Sequence, residues 1–578
     1  MSLLKNHKTS AALLLILLLS IGTCVYSLWS YGNTSAAGTS SWQQGSPQGG
    51  FGQQRGSFAT GKENVHEGQS STPSSDNRRS TAERQQPPAA NSGTIDGSLD
   101  HIGNTGSGRG MPGQGGGRFG GPAMGGSSTS SKYAVPLAGY AVLFFGAAAA
   151  ALYLTRRGRG TLQLQEREQR IWVWSILGTG LFLRIAAAPW IPGHMDLNLF
   201  KSWATSAAKS LPGFYLNGSS DYPPFYVYIL YVTGKLAANP ALSPYYSLLL
   251  KLPSMAADAA TAYLLYRAAR KFVSFEIILL IAALYIGNPA IFINSTFWGQ
   301  VDSFFTLLVV GSLMLLYSKK IGWATVLLTV SVLMKPQGII YLPVLFFELV
   351  RMRQVKPWLI AAGSAILTVL VVIIPFSLGQ DPSWLLKLYT GTVNEYPYAS
   401  VNAYNLFALL GANYTKDTVT LFLFDYHTWG MAFIVAITLF SWWMYAKCGN
   451  VRFAAAAALI QIAGVFTFST SMHERYLFPA AALALLAFAY LQDRRLLWLS
   501  IGFSLTIFMN TYDILYHSSF GGGSYSITLF VTSILNILLC GWLAKIAWDY
   551  AKGKKPIPDM PAIQHPQLHD KPLHILDK

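Results

Sequence analysis

Thr470-Ser-Met-His-Glu-Arg-Tyr-Leu-Phe-Pro479 places His473, Glu474 and Arg475 side by side, with apolar runs at 453–470 and 475–491 around them. Charged groups at the edge of a bilayer are costly to keep there and usually serve an ion, a phosphate or a substrate. The trio therefore marks a candidate working site, the alternative being a helix-end cluster whose long basic chain snorkels to the interface. The flanking runs decide the fold. The chain has 578 residues, 52% hydrophobic, 13% aromatic and only 12% charged, against roughly 25% charged in soluble domains. Apolar stretches recur from Tyr133 to Trp548, most of them near the roughly 20 residues a helix needs to cross a bilayer. The expected fold is an all-α polytopic membrane protein.

The net charge of +17, from 42 basic and 25 acidic residues, does not point to nucleic acid, because of how it is distributed. Basic clusters fall between alternate apolar runs: Arg156, Arg157 and Arg159; Arg267, Arg270 and Lys271; Lys319 and Lys320; Arg351, Arg353 and Lys356; Lys447 and Arg452; Arg494 and Arg495; Lys552, Lys554 and Lys555. Short basic loops of this kind mark the cytoplasmic side. Cys24, Cys448 and Cys540 have no paired spacing, so neither a disulfide framework nor a zinc site is expected.

Residues 1–31 read as an N-terminal anchor or signal, with Lys5 and Lys8 ahead of the apolar stretch Ala11 to Tyr31. Residues 32–131 are rich in Gly, Ser, Gln and Pro and too poor in apolar content to fold alone, so a disordered outer segment is expected. An extra span and a basic loop follow at 132–170, the main membrane region at 171–550 and an inner tail at 551–578. Spans are predicted at 133–154, 171–190, 244–266, 275–293, 302–317, 321–335, 337–350, 357–378, 428–446, 453–470, 475–491, 496–511 and 524–546. With the anchor these make fourteen crossings and put both termini inside. Counting Pro223 to Ala237 as another span would move every later basic loop outside, so it is predicted to be an interfacial helix. Asp196, Asp221, Asn294, Asp302, Glu395 and the His473 trio then share the outer face.

In Pro192-Gly-His-Met-Asp-Leu-Asn-Leu-Phe-Lys-Ser-Trp-Ala204, Asp196 is the only carboxylate. Partial burial would raise its pKa toward the range useful to a general base; it could equally cap the helix that follows. In Asp221-Tyr-Pro-Pro-Phe225 two prolines fix an extended entry to a helix, leaving Asp221 and Tyr222 facing whatever the loop covers, although taken alone the segment reads as a turn with a cap. Asn288-Pro-Ala and Thr296-Phe-Trp-Gly-Gln-Val-Asp-Ser303 stand at the outer end of the next helix pair. Trp298 suits an aromatic belt, whereas Gln300 and Asp302 read as site or scaffold groups. Lys335, in Lys335-Pro-Gln337, runs against the positive-inside trend; it can hold an anionic phosphate or pair with a carboxylate. Arg475 adds a second cation with a bidentate fork for phosphate. His473-Glu-Arg-Tyr-Leu477 lacks the second histidine of a zincin helix. The segment Glu395-Tyr-Pro-Tyr-Ala-Ser-Val-Asn-Ala-Tyr-Asn405 offers the aromatic and polar faces that bind sugars, although interfacial aromatics without a ligand look the same. Asn33, Asn217, Asn294 and Asn413 begin Asn-x-Ser/Thr sequons. No Walker loop or dinucleotide fingerprint is present.

Taken in order, these motifs resemble the GT-C superfamily of membrane glycosyltransferases, and within it bacterial relatives of the GPI mannosyltransferases. The resemblance covers roughly residues 171 to 546 and rests on Asp196 with Trp203, Asp221-Tyr-Pro-Pro, Asn288-Pro, Trp298-Gly-Gln-Val-Asp302, Lys335-Pro-Gln337 and His473-Glu-Arg-Tyr-Leu-Phe-Pro479. It implies a GT-C-like helical bundle with outer loops and interfacial helices. It also implies an inverting transfer of a sugar, mannose, from a polyprenyl-phosphate donor to a hydroxyl of a glycan, lipid or protein acceptor. By the resemblance Asp196 would be the general base, Lys335 and Arg475 would hold the phosphate with His473 close by, and Glu474, Asp221, Gln300 and Asp302 would shape the pocket. Leu197 stands where many relatives carry a second acidic residue, so no metal or other cofactor is expected. A transporter or lipid flippase is the alternative, but its usual signature is a charge pathway near mid-membrane.

Overall fold

The computed structural model describes residues 2–43, 131–155, 164–217, 220–517 and 525–558. Residues 44–130, most of the expected Gly/Ser/Gln-rich segment, lie outside that description, as do 156–163 and 559–578. The described chain is almost wholly helical; its only strand pair is a hairpin of Thr420–Leu421 with Phe424–Asp425. Nine helices among the described residues are long and apolar enough to cross a membrane, and Asp302–Tyr317, Ile321–Met334 and Pro479–Leu491 are shorter apolar ones. Lipid offers no hydrogen-bond partner to the backbone, so an apolar run there closes its N–H and C=O groups internally as a helix. Each predicted span holds a helix, with shifted ends: the first runs Ser2–Gln43, past the expected boundary at 31, and 475–491 begins only at Pro479. The predicted span at 337–350 is a tight 3₁₀ segment, Pro336–Tyr341, followed by Leu342–Met352. Pro223–Ala237 is helical from Pro224 and packs along the short helix Asp196–Lys209.

The centre of the bundle is the hairpin around the opening motif. Every residue of Pro479–Leu491 is buried, and Ala454–Phe468 is nearly so. Runs such as Ala454-Ala-Ala-Ala-Ala458 let backbones approach closely, which is how helices pack where apolar surface gains little from leaving lipid. Helices Tyr426–Cys448, Ile527–Ala551 and Arg494–His517 surround this pair, and Tyr246–Ala269 and Asp302–Tyr317 complete the core. Asp302–Tyr317 and Ile321–Met334 run antiparallel through the turn at Lys319 and Lys320, so Asp302 and Lys335 meet at one end of the bundle and the basic turn lies at the other.

The first helix packs on Glu166–Ala187 and the turn after it through polar contacts. Trp172 Nε1 donates to Ser10 Oγ at 2.9 Å, Trp190 Nε1 to Ser27 Oγ at 2.7 Å, and Ser27 Oγ to the Ala186 carbonyl at 2.7 Å.

Candidate functional site

The loop between the two central helices carries the trio, and Arg475 is its hub. One terminal nitrogen lies 3.1 Å from Asp196 Oδ2 and 3.2 Å from Glu474 Oε1, and Nε lies 4.0 Å from Asp302 Oδ2. The guanidinium also stacks over the Trp298 ring, 4.7 Å from its centroid. Both predicted cations are thus paired with carboxylates: Lys335 Nζ meets Asp302 Oδ1, with both residues buried. Pro336 sets up that pairing, because the residue before a proline is pushed out of helical geometry. Lys335 accordingly turns extended at φ −146° and ends its helix.

Asp196 does not cap its helix; it is the first helical residue, and its carboxylate turns into the cluster. Trp298 Nε1 donates to its Oδ2 at 3.1 Å and Gln300 Nε2 donates to the same oxygen, while His194 Nδ1 lies 2.9 Å from Oδ1. Burial pushes the Asp196 carboxyl up, but the His194 hydrogen bond, the Arg475 charge and the Trp298 N–H outweigh it and hold the group well below the usual carboxylate range. Its side chain keeps 25% exposure, enough for a small group to reach it.

Two glycines shape this corner. Gly193 (φ +84°) and Gly299 (φ +85°) adopt the left-handed region, and a Cβ on either would come within 2.9 Å of the Leu197 side chain. Between them Leu197 is clamped and Asp196 is aimed. Gly299 closes a π-turn, Ile293–Trp298, whose wider backbone presents Trp298 and Asn294 inward. Trp298 is therefore a wall of the site and not a belt residue: it is 2% exposed and stacks on His194 with centroids 4.4 Å apart. Asn294 is equally buried and donates to Asp302 Oδ2 at 2.9 Å, so this sequon is not open to modification. Asn288 caps Pro289–Phe292 and donates to Ser504 Oγ at 2.7 Å, a structural role.

Tyr222 borders the pair of cations. Its hydroxyl donates to Gln300 Oε1 at 3.4 Å and its ring lies 6.0 Å from Lys335 Nζ. Asp221 makes no ion pair among the described residues; burial pushes its carboxyl pKa up, and the Asp196 charge adds to that against the pull of the Lys335 charge. Glu395 is exposed at the rim, with its pKa raised by partial burial and by Asp221. The 395–405 loop is mainly a strap. Val401 N donates to the Met472 carbonyl at 3.0 Å, Asn510 takes the Tyr404 N–H at 3.0 Å, and Asn405 reaches the Ser469 carbonyl at 3.1 Å. Tyr396 remains at the edge, edge-on to His473 at 4.6 Å. Burial, helped by the Arg475 and Lys335 charges, pushes His473 down to about 3, so the ring is neutral at ordinary pH. Burial raises the Glu474 carboxyl pKa against the pull of Arg475.

His194, Lys251 and Tyr476 complete the surroundings and were not singled out from the sequence. Lys251 is buried and donates to the carbonyls of Ala188 (3.3 Å) and Ile191 (2.7 Å), pinning the turn that leads to Asp196. Its signal was a lysine inside an apolar helix. Among the described residues no group of three or more His, Cys, Asp or Glu is placed to hold a metal ion.

Chemically, the cluster offers an ionised carboxylate, a second carboxylate with no direct ion pair among the described residues, two cations held by acids they could exchange for another anion, and an aromatic wall. No protein-family model matches the chain, and no curated protein sequence matches it either.

Proposed function

We propose that the chain is a GT-C-type membrane glycosyltransferase that moves a sugar, mannose by resemblance, from a polyprenyl-phosphate carrier to a hydroxyl acceptor at the outer face. The observation that carries this reading is the meeting of Asp196, Gln300, Asp302, Lys335 and Arg475 in one partly open cluster, at the end of the bundle away from the basic turn at Lys319 and Lys320. A donor phosphate competes for Arg475, whose fork suits phosphate as well as carboxylate. Losing that partner frees Asp196 and raises its basicity toward what proton transfer requires. The acceptor oxygen then attacks the anomeric carbon, Asp196 takes its proton, and the bond from that carbon to the phosphate oxygen breaks. Polyprenyl phosphate leaves with the electron pair, and the anomeric configuration inverts. On this reading Tyr222, Asp221, Glu395, His473 and Glu474 contact the sugar or the acceptor.

Purified Asp196→Asn tested with radiolabelled polyprenyl-phosphate sugars and a membrane extract should insert and fold normally yet transfer no label. Full transfer by that variant would remove the mechanism.

One observation favours a transporter instead. Arg184 and Asp258 form a buried pair, Nε to Oδ2 3.5 Å, inside two of the spanning helices, where a charge pathway would run. On that reading Asp258→Asn abolishes flux of a labelled lipid across proteoliposomes while Asp196→Asn spares it. On the transferase reading wild-type proteoliposomes show no such flux.

A further inference from the structure

At the end of the bundle opposite the candidate site, the turn after Asp302–Tyr317 and the turn before Val355–Ser377 border an open cavity of about 450 Å³. Asp302–Tyr317 has 16 residues, so at 1.5 Å per residue the cavity lies about 24 Å from Asp302 along that helix. Lys319, Lys320 and Lys356 line it together with Trp323, Gln354 and Ile360, and no carboxylate does. None of the three lysines pairs with an acid among the described residues. Exposed charges of one sign around a single concavity give it a positive potential that attracts an anion. Two helices, Ile321–Met334 and Val355–Ser377, also start at its edge with no side-chain cap, which adds to the positive potential there. The candidate transferase chemistry uses none of these residues.

We propose that this cavity binds the phosphate headgroup of an anionic phospholipid. Its surroundings favour a lipid over a free anion. Trp323 (67% exposed) and Leu359 (68% exposed) extend an apolar surface from the cavity along Val355–Ser377, one of the helices able to cross a membrane. A headgroup among the lysines therefore leaves its acyl chains lying against that surface, with Trp323 at the level where interfacial tryptophans sit. Basic pockets between spanning helices recognise lipid headgroups by this combination of point charge and apolar flank.

The full-length protein, purified in detergent, is titrated with phosphatidylglycerol or with phosphatidylcholine of the same acyl chains, and bound lipid is counted by native mass spectrometry. Wild type should prefer phosphatidylglycerol by about tenfold or more, each lost lysine charge weakening that binding about fivefold. Lys319→Gln/Lys320→Gln/Lys356→Gln should abolish the preference. Arg267→Gln/Arg270→Gln/Lys271→Gln, which neutralises a neighbouring basic turn, should keep it. Equal binding of the two lipids by wild type overturns the proposal, as does a preference that survives the lysine triple variant or is lost equally in the control. Inorganic phosphate at millimolar concentration should leave the bound lipid in place; displacement would make this a site for a soluble anion. Should the lysine triple variant misfold, the wild-type lipid comparison and the phosphate competition still decide, with Lys320→Gln and Lys356→Gln as single variants.

Discussion

Asp196 and Asp221 differ in a way that separates their roles. Arg475 and three hydrogen-bonding neighbours keep Asp196 ionised, whereas Asp221 makes no ion pair among the described residues and burial raises its pKa. Under the proposed transfer, Asp196→Asn lowers the rate roughly 10²- to 10⁴-fold, the span of a lost general base. Asp221→Asn, which removes a pocket contact, lowers it no more than about tenfold. The opposite ranking in the same transfer assay would move the base to Asp221. His473 makes a separate prediction about pH. Its folded value of about 3 lies below its ordinary 6.5, so between these values the unfolded chain binds a proton that the folded chain does not. The stability linked to this ring is fully present above about pH 6.5 and is lost as pH falls toward 3, by up to about 1.4 kcal/mol per pH unit. Melting temperatures from pH 7 to pH 4 should fall less steeply in His473→Gln than in wild type; parallel curves would mean that the ring titrates freely.

At the scale of the element, the π-turn Ile293–Trp298 and its closing Gly299 form one wall of the site. Gly299→Ala puts a Cβ into the left-handed region, which costs roughly 1–2 kcal/mol, and drives it against Leu197 beside Asp196. The variant should melt lower by an amount matching that cost and also transfer more slowly, because the displaced neighbour is the residue that aims the carboxylate. Unchanged melting and rate would show that the turn can relax without moving Asp196. The aromatic, polar composition of the 395–405 loop suits a sugar-binding face, yet asparagine side chains from Arg494–His517 and Ile527–Ala551 hold its backbone, and Glu395, Tyr396 and Pro397 stay exposed at the rim. Composition cannot distinguish a polar group that meets a ligand from one that satisfies a neighbouring loop.

For the whole molecule, the separation of acidic site and basic turns onto opposite ends yields a test of orientation. With Cys24, Cys448 and Cys540 replaced by serine, single cysteines at Thr418, beside the strap, and at Lys271, in a basic turn, are treated with a membrane-impermeant maleimide. Under the positive-inside rule Thr418→Cys reacts in intact cells and Lys271→Cys reacts only after permeabilisation. Labelling of both from the same side would overturn the topology on which the outer-face assignment depends. The shortness of Asp302–Tyr317, Ile321–Met334 and Pro479–Leu491 fits helices that end inside the protein, since non-helical backbone at that depth is tolerated where other protein segments surround it.

The order and approximate extent of the helices were legible in the sequence, because in a membrane setting hydrophobicity and length alone force a run into helix. So was the candidacy of Asp196, Gln300, Asp302, Lys335 and Arg475, since polar groups in such surroundings need a reason to be there. What each of them does to the others was not legible. Asp196 and Arg475 are 279 residues apart, and whether a cation faces a carboxylate or open space is a matter of a few ångströms that no spacing encodes. Tertiary structure alone decided that both cations are paired, that Trp298 and Asn294 are buried in the site, and that Lys251 pins the turn behind it. The reason is that pattern records which surface a residue prefers, whereas ion pairs, hydrogen bonds and pKa shifts depend on the three-dimensional neighbours that packing supplies.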